Sequence, residues 1–195
     1  MQTFLSKPEK FFPAKEIKTP DFSSFVSFDI ETTGLDRKSN IIEIGAVKVV
    51  NGEITEVFSE LVNPLVHIPS QITHLTGITD EMVKDADETD AVLHKFQKFV
   101  GYDILVGHNA LSFDCKIIGH WANTFEIYLQ NDVFDTLRFL RYRCEPFADM
   151  QSKNLGYLCD YFNISSENYH RAAADAEMTA KLYFKLQKNA ILKKS

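Results

Sequence analysis

Two carboxylates, Asp29 and Glu31, stand two positions apart in the segment FVSFDIE at residues 25–31. The segment alternates apolar with polar residues, as a β-strand does, so both carboxylates point to the same face. Two carboxylates that close repel each other and raise at least one pKa unless a cation lies between them. The pair therefore indicates either a cation site or an exposed polar face of an edge strand. The apolar opposite face and the turn at 32–34 favour the cation site.

Asp114 and Asp175 lie in two segments whose apolar spacing predicts helices, NALSFDCKIIGHWA (109–122) and HRAAADAEMTAKLYF (170–184). Asp114 stands among apolar residues, where a solvated Asp on a helix is the structural alternative. Around Asp175, alanines form a narrow stripe that lets a helix approach a sheet closely and leaves room for ions. His170 is predicted at or just before the first turn of that helix. A surface or capping histidine is the alternative there, so its functional role depends on its neighbours.

Four carboxylates without a cysteine or histidine cluster favour hard cations that prefer oxygen, Mg²⁺ or Mn²⁺, over zinc. The three cysteines are widely spaced, form no CxxC pair and are odd in number, which argues against a disulfide framework and a zinc site. The reaction that suits such a carboxylate site is a two-metal displacement at phosphorus, in which ions about 3.5–4 Å apart stabilise the attacking and leaving oxygens.

The elements that must position these groups are a β-meander followed by alternating strands and helices. Strands are predicted at 25–30, 41–50 and about 53–62, with Asn51-Gly52 as the hairpin turn. The remaining predicted elements are short helical pieces at 70–74 and 79–84, helices at 88–100, 109–122, 136–143, 153–161 and 171–189, and strands at 102–106 and 132–135. This order predicts one α/β domain in which a mixed five-stranded sheet is flanked by helices.

Length and composition fit one globular domain with an N-terminal arm. The chain has 195 residues, of which 45% are hydrophobic and 25% charged, as in ordinary globular proteins. Residues 1–24 hold three of the six prolines and four phenylalanines, which predicts an extended arm that docks on the domain at 25–190. Apolar runs are shorter than the roughly 20 residues of a membrane helix, and the N-terminus lacks the apolar core of a signal peptide. We therefore expect a cytoplasmic protein without membrane association.

Net charge is a weak guide to the partner of this chain. The formal net charge of −6 argues against a nucleic-acid partner, since affinity for phosphates comes mainly from Lys and Arg. Bound metal ions supply positive charge locally, which weakens that argument for a metalloenzyme. Five lysines from Lys181 onward form either a solvated tail or a surface that helps to hold a nucleic-acid strand.

Three segments of the chain resemble, in order and spacing, the exonuclease motifs of the DEDD superfamily: FDIETTGL (28–35), GHNALSFD (107–114) and HRAAADA (170–176). With the loop IPSQITHLTGITDEMV (68–83), the chain is similar to the epsilon-type (DnaQ-like) proofreading exonucleases of bacterial DNA polymerase III and to the PolC-type exonuclease domain. The resemblance spans about 25–187 and implies a ribonuclease H-like fold. Thr76 stands where epsilon-type chains commonly carry His, which moves the likeness toward the PolC type.

The resemblance implies a role for each acid. The four carboxylates are implied to hold two Mg²⁺ or Mn²⁺ ions: Asp29, Glu31, Asp114 and Asp175. His170 takes the position of the general base, and Arg171 stands where the sister subclass has a Tyr, so the chain resembles the His (DEDDh) subclass. In the implied mechanism, an ion bridging Asp29 and Asp175 lowers the pKa of a bound water, and His170 accepts its proton. A second ion, held mainly by Asp29 with indirect help from Glu31 and Asp114, stabilises the leaving 3′ oxygen.

Substrate contacts are expected around the same strand end. Thr32, Thr33 and Gly34 are assigned to the terminal nucleotide, because a tight turn after a strand exposes backbone N–H groups. Asn109 and Phe113 are expected to line the same pocket. Phe113 either stacks on a base or packs in the core.

Glu43 is a charged residue inside a predicted apolar strand. Glu43 is in the segment IIEIGAVKVV (41–50). Two interpretations fit this placement: exposure at the edge of a sheet, or a partner that supports a neighbouring ligand.

We expect the chain to hydrolyse DNA from its 3′ end to 5′-mononucleotides, in proofreading or repair, with a single-stranded 3′ end as its substrate. The polymerase III catalytic subunit is the protein partner that the resemblance implies. An RNA exonuclease of the same superfamily, active in RNA trimming, is the alternative, because the chemistry is shared and the 2′-OH is read by details of the pocket. The third alternative is an inactive binding module, which has no need for five intact chemical groups.

Overall fold

A mixed sheet of six strands forms the centre of the fold. The computed structural model describes residues 12, 14–144, 147, 150–165 and 170–189. The strands are β1 (Glu16–Ile17), β2 (Phe25–Thr32), β3 (Ile41–Val50), β4 (Glu53–Leu61), β5 (Leu105–Gly107) and β6 (Val133–Asp135). Their order across the sheet is β1-β6-β5-β2-β3-β4. The β2–β3–β4 side is antiparallel and the β2–β5–β6–β1 side is parallel, so β2 is an interior strand.

Helices cover both faces of this sheet. They are α1 (Ser70–Thr76), α2 (Asp80–Val83), α3 (Thr89–Val100), α4 (Asp114–Phe125), α5 (Thr136–Tyr142), α6 (Leu155–Phe162) and α7 (Ala172–Asn189). Residues of α3 and α4 pack with Val26 and Phe28 on one face, and residues of α5, α6 and α7 pack with Phe25 on the other. Because strand side chains alternate, Asp29 and Glu31 share the face of Phe25, which α7 covers. In the described part of the chain, no helix combines the length and apolar character needed to cross a membrane.

The predicted α/β fold class is confirmed, with one strand more than expected. Asn51 and Gly52 adopt left-handed backbone angles, with φ of 51° and 88°, and join β3 to β4 in the expected hairpin. The additional strand is β1, which comes from the predicted arm and pairs in parallel with Val133 and Phe134 of β6. β5 begins at Leu105, later than predicted, after an exposed turn that follows α3.

The described residues of the predicted arm dock on the domain. The N–H of Val133 donates a hydrogen bond to the carbonyl of Lys15 at 2.8 Å, next to β1. Farther along, the ring of Phe22 stacks on Tyr183 of α7 with 4.8 Å between centroids, and the Tyr183 hydroxyl donates to the Phe22 carbonyl at 2.7 Å. Residues 1–11 and 13 of the predicted arm lie outside the described residues.

The helix predicted at 109–122 begins later than expected, because α4 runs from Asp114 to Phe125. Asn109 has a φ of 66°, a left-handed conformation that does not continue a helix. Its carbonyl accepts hydrogen bonds from the N–H groups of Ser112 and Phe113, which form a separate turn. Asp114 is therefore the first residue of α4 rather than a residue in the middle of a helix.

Candidate active site

Asp29 and Glu31 lie on the interior strand β2, near its carboxyl end. In the antiparallel ladder, Asp29 is opposite Gly45 of β3 and Glu31 is opposite Glu43. The alternative of a polar face on an edge strand is excluded, because β2 pairs with both β3 and β5. Both carboxylates therefore point from the middle of the sheet toward the layer that contains α7.

Gly45 lets the N-terminus of α7 reach the sheet. A Cβ atom at Gly45 would lie 2.0 Å from the backbone nitrogen of Ala173 and 2.1 Å from the carbonyl carbon of Ala172, so only glycine fits. This close approach brings Asp175, in the first turn of α7, next to the acids of β2. One carboxylate oxygen from each of three acids lies within 4.8 Å of the other two: Asp29, Glu31 and Asp175.

Asp114 adjoins this group of three acids. It is 3% exposed at the start of α4, and its Oδ1 accepts a hydrogen bond from the backbone N–H of Ile30 at 3.2 Å. Its oxygens are not part of the group within 4.8 Å, but its negative charge raises the pKa of Asp29. The structure thus brings the four predicted acids into one region, with three converging and the fourth beside them.

Burial raises the pKa of each of the four predicted acids, and repulsion from neighbouring carboxylates adds to it. Burial is the largest cause for Asp29, and the charges of neighbouring acids add to it, so its pKa lies well above the usual range. The same causes raise the pKa of Glu31 to about 8. Burial raises the pKa of Asp114 to about 7 and that of Asp175 to about 6. A bound cation would lower the pKa of all four groups, because it favours their ionised form.

The residues present fit a divalent cation. Oδ1 of Asp175 is buried and has no hydrogen-bond partner within the described residues. A buried acceptor without a partner destabilises the folded chain, and a bound metal ion would be such a partner. The converging ligand atoms are all carboxylate oxygens, the ligands that Mg²⁺ and Mn²⁺ prefer.

His170 lies two residues before α7, half-buried, with a φ of 64°. This left-handed backbone is uncommon outside Gly and Asn and needs support from its surroundings. A backbone hydrogen bond from His170 lowers the pKa of Asp175, against the larger effect of burial. The predicted base and the third-motif acid are thus joined directly through the backbone.

Glu43 is buried inside the sheet and is paired with Arg171. It is 1% exposed, on a strand that lies between β2 and β4, so exposure at a sheet edge is excluded. Arg171 Nη2 donates to Oε1 at 2.6 Å, Arg171 Nε donates to both carboxylate oxygens at 3.1 Å, and the N–H of Ala172 donates to Oε2 at 2.9 Å. From the sequence, Arg171 was expected only to mark the subclass of the third motif. The charge of Glu43 in an apolar stretch of the strand was the signal that a partner existed.

The loop between β5 and α4 is held by two residues that were not predicted from the sequence as site residues. The carboxylate of Asp135 accepts hydrogen bonds from the N–H of Asn109 at 3.1 Å and from the N–H two residues later at 3.0 Å. His108 contacts the Thr136 hydroxyl through Nδ1 at 2.8 Å and the Lys153 carbonyl through Nε2 at 2.9 Å. Burial lowers the pKa of His108. The signal for Asp135 was an acid at the end of a buried strand.

The turn that follows β2 makes its own hydrogen bonds. The hydroxyl of Thr32 donates to the carbonyl of Gly34 at 2.6 Å. The N–H of Thr33 donates to the carbonyl of Asn40 at 2.9 Å, and Oγ1 of Thr33 accepts from the N–H of Asn40 at 3.1 Å. The expectation that this turn exposes backbone N–H groups is therefore wrong for Thr33. All three turn residues still lie directly after Glu31.

Asn109 and Phe113 flank the turn that precedes Asp114. Phe113 is half-buried and packs against the core cluster that contains Val26 and Phe28. Part of the Phe113 ring therefore packs in the core. Stacking of its exposed part on a base stays a prediction. Asn109 is half-buried at the left-handed corner of the turn.

Known proteins match this chain in sequence and in fold. The exonuclease family (RNase_T) matches residues 26–183. The DNA polymerase III PolC-type of Clostridium perfringens is 45% identical over 159 residues, which cover 81% of this chain and 11% of that protein. The protein of the same name from Bacillus subtilis is 39% identical over 170 residues, which cover 86% of this chain and 12% of that protein. The chain thus spans only a small part of the length of these relatives.

Two solved structures share the fold at low sequence identity. Exonuclease X in complex with 5′ overhanging duplex DNA has a TM-score of 0.67 and 24% identity, covering 84% of this chain and 92% of its own. Exonuclease I of E. coli in complex with a dT13 oligonucleotide has a TM-score of 0.73 and 18% identity, covering 85% of this chain and 41% of its own.

The sheet, the converging acids and the family match define the class of protein, a divalent-metal-dependent nuclease of ribonuclease H-like fold. The chain belongs to the exonuclease family, whose match spans all three motif segments. The resemblance to DEDD-superfamily exonucleases is confirmed by this match and by the PolC-type relatives, and the prediction of an exonuclease enzyme is confirmed with it.

Proposed function

We propose that the chain removes nucleotides from the 3′ end of single-stranded DNA with two Mg²⁺ or Mn²⁺ ions, and that it proofreads for a PolC-type DNA polymerase III. The observation that carries this proposal is the convergence of three acids to within 4.8 Å at the end of β2: Asp29, Glu31 and Asp175. Such a group of oxygen ligands suits a two-metal displacement at a phosphodiester. The PolC-type relatives support the polymerase context.

Each acid has its own part in holding the ions. When bound, the ions lower the pKa of the attacking water and stabilise negative charge on the oxygens at phosphorus. Asp29 and Asp175 would be the main ligands of the ions, since α7 brings Asp175 against β2. Glu31 would complete the converging group, and Asp114 would support the second ion indirectly from its place beside Ile30.

His170 accepts the proton of the attacking water in this proposal. Imidazole is the side chain that most often serves as a general base. The backbone of His170 makes a hydrogen bond to Asp175, which holds the proposed base next to a proposed ion ligand.

Single-stranded DNA is the proposed substrate, because the structural relatives are described in complex with an overhanging duplex DNA and with dT13. The turn at 32–34 and the side chains of Asn109 and Phe113 are the proposed contacts of the terminal nucleotide. The exposed part of the Phe113 ring is expected to stack on a base.

Substitution of the acids tests the metal assignment. Asp29→Ala and Asp175→Ala are each expected to abolish Mg²⁺-dependent release of nucleotides from a 3′-labelled single strand. Asp90→Ala removes an exposed acid of α3 and is expected to keep the parental rate. A parental rate in either site variant contradicts the proposal.

A panel of substrates tests the rest of the proposal. Single-stranded DNA, matched and 3′-mismatched duplexes, and RNA of the same sequence are digested in Mg²⁺ and in EDTA. We expect mismatched ends to be removed faster than matched ends, and DNA faster than RNA. Faster digestion of RNA replaces the DNA proposal with an RNA exonuclease, and no metal-dependent turnover on any substrate indicates a binding module.

A further inference from the structure

An ion pair between a buried carboxylate and a partly exposed guanidinium joins β3 to the segment that precedes α7. The side chain of Glu43 is 1% exposed and that of Arg171 is 38% exposed, with 2.6 Å between Oε1 and Nη2. Glu43 also accepts the N–H of Ala172, so its carboxylate holds two consecutive residues. A carboxylate at this end of a helix is favourable, since the unpaired N–H groups of the first turn point toward it.

The pair lies next to the residue that we propose as the base. Arg171 directly follows His170, so the backbone is fixed by Glu43 immediately after the histidine. The left-handed φ of 64° at His170 costs energy and persists only where neighbouring contacts impose it. The Glu43 carboxylate supplies such contacts from the sheet.

The same strand contributes a second feature that fixes this segment. Gly45 lies two residues after Glu43, on the same face of β3, and allows the tight approach of α7. Glu31 of the converging group is opposite Glu43 in the ladder between β2 and β3. The pair thus lies next to the site on two sides, at the backbone that follows His170 and beside one of the converging acids.

Stability alone does not account for this pair. An ion pair that buries one charge is often replaceable by apolar residues without loss of stability, because the desolvation of that charge offsets the attraction. We propose that the Glu43–Arg171 pair is a positioning device that holds the imidazole of His170 in its reactive placement. This inference rests on the proposed role of His170 as the base.

The test removes the pair without leaving a buried charge alone. Glu43→Gln/Arg171→Met eliminates both charges, and Arg171→Lys keeps the positive charge without the planar donor fork. Rates on the 3′-labelled single strand are measured at saturating Mg²⁺, together with unfolding in urea. We expect the double variant to stay folded, with kcat about 10- to 100-fold lower and KM nearly unchanged. Arg171→Lys is expected to restore part of the rate.

The control removes a cation that pairs with acids away from the site. Lys95 of α3 pairs with Glu60 at 3.1 Å and with Asp87 at 2.9 Å. Lys95→Met is expected to keep the parental kcat. A parental kcat in the folded double variant overturns the inference, whatever the urea midpoint.

His170→Ala separates this inference from the proposed function. With the imidazole gone, the double substitution has nothing left to position, so we expect Glu43→Gln/Arg171→Met to slow His170→Ala no further. A full additional loss in that background overturns the inference and leaves the base assignment intact. A parental rate in His170→Ala by itself contradicts the proposed base.

Discussion

The carboxylate of Asp114 accepts a hydrogen bond from the backbone N–H of Ile30, which lies 84 residues earlier in the chain, at 3.2 Å. This bond joins the second motif segment to the strand that carries Asp29 and Glu31. Asp114 therefore has two separable properties in this site, an acceptor that satisfies a buried N–H and a negative charge near the converging acids.

Substitutions of Asp114 are expected to separate these two properties. Asp114→Asn and Asp114→Ala both lose the charge, so we expect both to lower Mg²⁺-dependent turnover about 10- to 100-fold. Only Asp114→Asn keeps an acceptor for the N–H of Ile30. Unfolding in urea with EDTA is expected to show Asp114→Ala less stable than Asp114→Asn by about 1–3 kcal/mol, the cost of an unpaired buried group. Equal stability of the two variants would mean that the hydrogen bond contributes nothing.

The metal-free protein is expected to lose stability as pH rises. The pKa of Glu31 is raised from 4.5 to about 8 and that of Asp175 from 3.8 to about 6 in the folded chain. Between pH of about 4, where these groups ionise in the unfolded chain, and about 8, the folded chain binds more protons, so folding weakens as pH increases. Glu31→Gln is expected to reduce this fall in urea unfolding with EDTA.

A matched control isolates the effect of Glu31 from other titrating groups. His108 acts in the opposite direction, since its lowered pKa makes the folded chain less stable as pH falls below about 6.5. Comparing Glu31→Gln with Glu53→Gln, which changes an exposed glutamate of β4, cancels that contribution. If both variants follow the parental pH curve, the raised pKa of Glu31 is not real.

Loss of the imidazole at position 170 is expected to slow chemistry. His170→Ala is predicted to lower kcat about 10²- to 10⁴-fold, the usual contribution of a general base. His94→Ala, which removes an exposed histidine of α3, serves as the control. A parental kcat in His170→Ala contradicts the assignment.

Addition of one methyl group at Gly45 is expected to displace the start of α7. The new Cβ would lie 2.0 Å from the nitrogen of Ala173, so α7 must move away from β3 and carry Asp175 with it. We expect Gly45→Ala to cost about 1–3 kcal/mol of stability and to lower kcat on the order of 10²-fold, as small displacements of ligands do. Gly119→Ala is the control, since its Cβ would meet only Phe12 at an ordinary 3.9 Å. Full activity of Gly45→Ala would show that the close approach has no role in catalysis.

Local patterns in the sequence were sufficient for several features of the site. Alternation along β2 placed Asp29 and Glu31 on one face, because the side-chain period of a strand is fixed by its backbone. Asn51-Gly52 predicted the hairpin because these residues tolerate the left-handed angles that its turn requires. The absence of a cysteine or histidine cluster beside the acids pointed to hard cations. Each of these predictions depends on residues that lie close together in the sequence.

The tertiary structure alone decided which groups touch. Glu43 binds Arg171 across 128 residues, a contact that neither local segment specifies. Asp114 begins α4 instead of lying within a helix, because the left-handed Asn109 and the carboxylate of Asp135 hold the preceding turn. Sequence alone determined the chemical types that this protein brings to its site. Their convergence within 4.8 Å depends on the packing of α7 against β3, which follows from distant contacts rather than from any one stretch of chain.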